Sequence, residues 1–142
     1  YLPARNNSVV RIEILNEQFL YAIKLHLESE DTFNLCPADY CDIQEKNTKS
    51  TQDGVSERRL LIESYKPAND VIEKVKRITK NAGIEVGGVE YLINDRDGEL
   101  YYYDINALSN FVKNPLEIIG FDPFINLVDY LKNVLKQVRN ST

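Results

Sequence analysis

The 142-residue chain is 43% hydrophobic and 27% charged, with a net charge of −5 and a pI near 4.9. This balance suits one globular domain, or a large part of one, with its own core, and argues against a nucleic-acid binder, which carries a basic face. No apolar run reaches the roughly 20 residues that span a bilayer and no signal segment opens the chain, so no membrane partner is expected and the cytoplasm is the default compartment.

Cys36 and Cys41 are too few for a disulfide framework. With His26 the single histidine, they are also too few for a zinc site. Asn6-Asn7-Ser8 and Asn140-Ser141-Thr142 match the glycosylation sequon, and without a secretory signal they read as chance matches. The absence of methionine and the abrupt start at Tyr1-Leu2-Pro3 lead us to expect a piece of a longer polypeptide.

In chain order, 8–15 (SVVRIEIL) and 19–27 (FLYAIKLHL) read as strands joined by the polar Asn16-Glu17-Gln18, an antiparallel hairpin. Residues 29–56 are polar and read as a long loop. A short strand is expected at 57–63. From Pro67 to Asn81 the apolar residues Val71, Ile72, Val75 and Ile78 recur at helical spacing, and Asn81-Ala82-Gly83 supplies the stop. Lys74, Lys76, Arg77 and Lys80 crowd its last turns, where the macrodipole favours cations. Two further strands occupy 85–94 and 99–106. A last helix runs from Pro123 to Val138, capped by Asp122, with Phe124, Leu127, Val128, Leu131 and Leu135 as its apolar stripe. The expected class is α+β, an antiparallel sheet with helices packed on it.

The final hairpin carries the chemistry. Asp97-Gly98 marks a turn, and a three-residue loop Arg96-Asp97-Gly98 sets Glu90 opposite Asp104 and Gly88 opposite Asn106. Opposed residues share a sheet face, as do residues two apart on one strand, so Glu90, Asp104 and Asn106 converge. Two carboxylates so placed call for a cation or a shared proton, and a hard divalent ion with oxygen ligands answers that need. A four-residue loop would put Glu90 opposite Tyr103 and break the convergence. Solvated, independent carboxylates are the bland alternative. Gly87-Gly88 leaves room for a ligand or another backbone to approach.

Gly88-Val89-Glu90 followed by Asp104-Ile105-Asn106 resembles the metal-binding hairpin of the ATP-grasp superfamily, with Asp and Glu exchanged at both acidic positions. Tyr1-Leu2-Pro3 resembles the end of that family's hinge segment, and Gly120-Phe121-Asp122-Pro123 leads into a final helix in the family order. The likeness covers most of the chain outside 29–60 and is nearest the glutathione-synthetase-like and ribosomal-protein-glutamate-ligase-like branch. It implies that residues 1–142 are the C-terminal half of an ATP-grasp domain whose upstream subdomain is absent from this chain. It further implies metal ligation by Glu90, Asp104 and Asn106, contact of Arg11 with the transferred phosphate, and cofactor contacts from Lys24, Asn34 and Tyr103.

The implied cofactors are ATP and Mg²⁺ (or Mn²⁺). The implied reaction joins a small carboxylate substrate to an amine or thiol through an acyl phosphate. By itself the chain is expected to bind ATP poorly, and a homo-oligomer stays open. A non-catalytic nucleotide- or effector-binding module with this fold is the alternative, and a plain interaction domain a third.

Overall fold

In the computed structural model, which describes residues 2–26, 61–108 and 110–140, the first hairpin closes through Asn16 and Glu17. Both take positive φ, 49° and 60°, the pattern of a two-residue turn whose twist matches its flanking strands. The strands are β1 (Ser8–Leu15) and β2 (Gln18–His26). A short β3 (Leu61–Ser64) flanks β2, and β4 (Val86–Ile93) and β5 (Leu100–Ala107) complete the sheet. The order is β3-β2-β1-β4-β5, with every neighbouring pair antiparallel.

β1 lies at the centre and is buried from Val9 to Leu15, so both of its faces are covered. Val10, Ile12 and Ile14 point to one face, where helix α1 (Asn69–Asn81) lays Val71 and Val75 against them and against Val89 and Tyr91. Each such side chain contributes roughly 1.5–3 kcal/mol by leaving water. Thr79, fully buried on the same helix, satisfies its hydroxyl on the carbonyls of Val75 and Lys76 at 3.2 and 3.1 Å. Gly83, at φ 67°, ends the helix as the sequence indicates.

The opposite face carries Val9, Tyr21, Ile23, Leu25 and Leu92, covered at one end by Phe111 and Val112. Tyr21 ties this segment down. Its ring meets Phe111 and Phe121 edge-on, and its Oη accepts the buried Val112 N–H at 3.0 Å. Tyr21→Phe leaves that amide without its acceptor and is expected to cost about 1–3 kcal/mol, read as a lower denaturant midpoint at unchanged m-value.

A single helical turn, α2 (Pro115–Ile118), follows Asn114 in a left-handed conformation. It was not foreseen from the sequence. Helix α3 (Pro123–Asn140) begins where expected, with the Asp122 carboxylate accepting the Phe124 N–H at 2.9 Å. Its stripe departs from expectation. Leu127 packs against the sheet and half-exposed Phe124 meets the Phe111 ring edge-on at 5.1 Å, whereas Val128, Leu131 and Leu135 stay exposed. The inward side of the helix is instead the neighbouring row of Pro123, Leu127, Tyr130 and Val134. No described helix is long and apolar enough to cross a membrane. The 29–56 loop, most of the 57–63 segment, and Asn34, Cys36 and Cys41 lie outside the described residues.

Candidate functional site

The β4–β5 connection is four residues long, Asp95 to Gly98, and not the three-residue loop read from the sequence. Ile93 pairs with Leu100, and the Asn94 N–H reaches the Glu99 carbonyl at 2.9 Å. Side chains explain the wider turn. Asn94 Nδ2 donates to Asp97 Oδ2 at 2.7 Å, Asn94 Oδ1 accepts the Arg96 N–H, and Asp97 Oδ1 accepts the Glu99 N–H. Such local bonds favour turns that backbone pairing alone would not choose.

A loop of that length in a regular ladder would set Glu90 against Tyr103. A bulge between Glu90 and Tyr91 corrects it: Tyr91 pairs with Tyr102, Glu90 with Asp104 and Gly88 with Asn106. Tyr103 is the extra residue. The three residues singled out from the sequence therefore share one sheet face. Both a side chain and backbone approach Gly87 closely, since a Cβ there would meet Ile84 Cγ2 at 2.6 Å and the Asn106 carbonyl oxygen at 2.7 Å.

Arg11 pairs with Glu90 on the strand's other side, giving a row Ile23–Arg11–Glu90–Asp104 across four strands. Its guanidinium is buried on the face away from α1, with Nε 2.6 Å from Glu13 Oε1 and Nη1 3.4 Å from Glu90 Oε1. Arg11, Glu13 and Glu90 are all buried. Burial works against the Arg11 charge, but the charge and hydrogen bond of Glu13 and the charge of Glu90 outweigh it and hold the guanidinium ionised. Glu13 was missed in the sequence, although it sits two residues from Arg11 on a strand and so shares its face.

Tyr103 Oη donates to Glu90 Oε2 at 2.9 Å, and Asn106 Nδ2 donates to Asp104 Oδ2 at 2.7 Å. Burial raises the pKa of Glu90. Asp104 and Glu13 push the same way, and Tyr103 and Arg11 oppose them. Burial and the Glu90 charge likewise raise the Tyr103 phenol. Since Glu90 binds its proton more tightly folded than unfolded, its contribution to stability is fully present below the ordinary glutamate pKa. It is lost as pH rises through the raised folded value. The stability difference between wild type and Glu90→Gln is therefore expected to shift against wild type across that window, as read from denaturation midpoints at stepped pH.

Lys24 does not join this group. It pairs with Val10, on the helix-covered face, and its Nζ sits 5.5 Å from the Tyr65 ring centroid. A regular β1–β2 ladder from the Asn16-Glu17 turn would have set it opposite Val9 and on the face of Arg11. A bulge at Leu20, between the Glu13–Tyr21 and Ile14–Phe19 pairs, shifts the register by one and turns Lys24 over.

The amino-terminal segment reaches the hairpin tip, with the Asp95 N–H on the Pro3 carbonyl at 2.9 Å and Arg5 against Asp95 at 3.5 Å. Among the described residues no three His, Cys, Asp or Glu side chains gather into a metal cage. Glu90, Asp104 and Asn106 bring two carboxylates and a carboxamide to this face, and Glu13 adds a third carboxylate bound to Arg11.

No protein-family model matches the chain. Over 75 residues it is 32% identical to an inositol-tetrakisphosphate 1-kinase of Danio rerio, a stretch covering 52% of this chain and 17% of that one. It superimposes on the ATP-grasp ligase PsnB complexed with a minimal precursor at TM-score 0.63 and 16% identity, covering 94% of this chain and 35% of PsnB. PsnB complexed with a phosphomimetic precursor variant, Mg and ADP gives TM-score 0.60 at 17% identity, covering 89% and 33%. The macrocyclase MdnC of Microcystis aeruginosa, bound with precursor peptide MdnA, gives TM-score 0.57 at 13% identity, covering 90% and 34%. The chain thus spans about a third of these solved enzymes and a smaller share of the kinase. Five antiparallel strands in this order, with their helices, have the fold found in the ATP-grasp ligase PsnB.

Proposed function

We propose that this chain is the C-terminal half of the ATP-grasp domain of an ATP-dependent ligase, and that the face bearing Arg11, Glu90, Asp104 and Asn106 serves the phosphates of ATP. The observation that carries this reading is the gathering of two carboxylates and a carboxamide on one sheet face by a bulged register. The donor set fits Mg²⁺ or Mn²⁺. All candidate ligand atoms are oxygens, and one or two carboxylates with phosphate oxygens and water are the usual surroundings of Mg²⁺. Glu90, Asp104 and the Asn106 amide oxygen would hold it. When bound, such an ion neutralises phosphate charge as the phosphoryl group moves. One similar structure, PsnB, is complexed with Mg and ADP together with a precursor variant.

Arg11 and Tyr103 orient the Glu90 carboxylate from two sides, one by charge and one by a phenol hydrogen bond. Arg11 would supply positive charge toward the phosphates, and Tyr103 a ring for the nucleotide. Lys24 stands on the opposite face and is left out, while Asn34, expected at the phosphates, lies outside the described residues. The reaction is the joining of a carboxylate to an amine or thiol: the acid attacks the terminal phosphorus of ATP, ADP departs, and the nucleophile displaces phosphate from the acyl phosphate. The acid can be a small molecule or a peptide side chain, as PsnB and MdnC are held with precursors.

The test uses the longer parent protein. Magnesium-dependent ATP binding, with phosphate release that requires both an acid and an amine or thiol, is the expected result. ATP binding without release under any acid–nucleophile pair would leave a nucleotide-binding module. No magnesium-dependent binding would sink both.

A further inference from the structure

The face of the sheet that α1 covers holds a small cleft at one end, where β1 begins and β2 and β4 finish. Lys24 stands opposite Val10 there, and Val10 opposite Tyr91, in one row. Ser8 lies two residues before Val10 on β1 and so shares that face. The tight turn Arg5–Asn7 comes up beside them, with Asn6 at φ 56° and the Ser8 hydroxyl donating to the Arg5 carbonyl at 3.1 Å. Tyr65, just past β3, supplies a further wall. The cleft between these groups measures about 70 Å³. That is room for a few waters or one small group, far less than the roughly 300–1,000 Å³ of a cofactor pocket.

The lining is cationic. Arg5 and Lys24 both face the cleft, and none of the residues lining it is acidic. Lys24 is half-buried, with its Nζ 5.5 Å from the Tyr65 ring centroid, so packing on that ring holds the ammonium in place. The acids nearest these cations stand outside the lining. Glu63, opposite Lys24 on β3, is held by His26 Nε2 at 2.8 Å. Asp95 meets Arg5 Nε at 3.5 Å in an open pair that water and salt screen. The phenol of Tyr91, buried at the floor, hydrogen-bonds to that of Tyr65, which puts two hydroxyls at the wall. A planar guanidinium fork, an ammonium and neighbouring hydroxyls in so small a space suit a phosphate group.

We propose that this cleft binds a single phosphate group, free or esterified, between Lys24 and Arg5. It lies on the sheet face opposite Glu90 and Asp104 and does not rest on the function proposed above. The test is an amide and side-chain NMR titration of the full chain, first with inorganic phosphate and then with O-phosphoserine, each at an ionic strength held constant with sodium chloride. Saturable shifts in the millimolar range are expected at Ser8, Lys24 and Tyr65. Tighter binding of O-phosphoserine would assign the cleft to a phosphate carried on a larger molecule, and tighter binding of inorganic phosphate to the free ion. Lys24→Met is expected to raise the Kd at least about tenfold, the loss of one charged hydrogen bond. Arg5→Gln, at an exposed position that leaves the core untouched, is expected to weaken binding in the same direction. The absence of saturable shifts overturns the proposal. So do shifts centred on Arg11, Glu90 and Asp104, which would place the phosphate on the other face. Wild-type affinity in both variants, each with an unchanged circular dichroism spectrum, overturns it equally.

Discussion

Asp104→Asn combined with Asn106→Ala is expected to abolish ATP-dependent phosphate release in the parent protein while leaving the fold intact. Asp104 is exposed and Asn106 only half-buried, so neither change opens a cavity or strands a buried charge. What the pair removes is one full negative charge and one oxygen donor from the face that Glu90 shares. If that face stabilises phosphoryl transfer by several kcal/mol, as a cation clamp does, the loss is on the order of a thousandfold in turnover at about 1.4 kcal/mol per decade. The check is steady-state phosphate release beside a thermal melt of the same preparation. Unchanged turnover at an unchanged melting temperature would discard the assignment.

Arg11→Met is expected to act on stability first. It leaves Glu13 and Glu90 in the sheet without the guanidinium that faces both, and breaking a buried pair from one side costs about 3–5 kcal/mol. That is a large share of a domain's whole stability. The penalty comes from the stranded acids, so adding Glu13→Leu should recover much of it, since an apolar replacement of a buried ion pair is often neutral or better. Urea denaturation of the single and double variants checks this. Arg11→Met with full stability would mean that the guanidinium is not the counter-ion of those two carboxylates. In the parent protein the double variant separates two roles of Arg11: recovered stability without recovered turnover marks a further role at the phosphates.

The parts of this molecule that could be read from residues alone were those governed by parity and by turn chemistry. Glu90, Asp104 and Asn106 were placed on one face because strand positions two apart stay together, and because Asp97-Gly98 announces a tight return. Even there, two departures cancelled: the turn is one residue longer than expected and the strand carries one residue too many. Lys24 shows the same physics without the cancellation. One bulge at Leu20 moved it to the far side of the sheet, and nothing in the local sequence marks that spot. A lone acid on a strand, such as Glu13, looks like a solvated one until its neighbours are known. Periodicity in α3 reveals that the helix has an apolar side, but not what meets it.

The fifth strand's irregularity also says something about how this hairpin can change. Turn length and strand regularity compensate for one another, so insertions and deletions should drift in pairs. A one-codon loss at the tip, absorbed by straightening the strand, keeps both acids facing each other but swings the phenol of Tyr103 away to the helix side. The acids are thereby protected against a change that their hydroxyl companion would not survive.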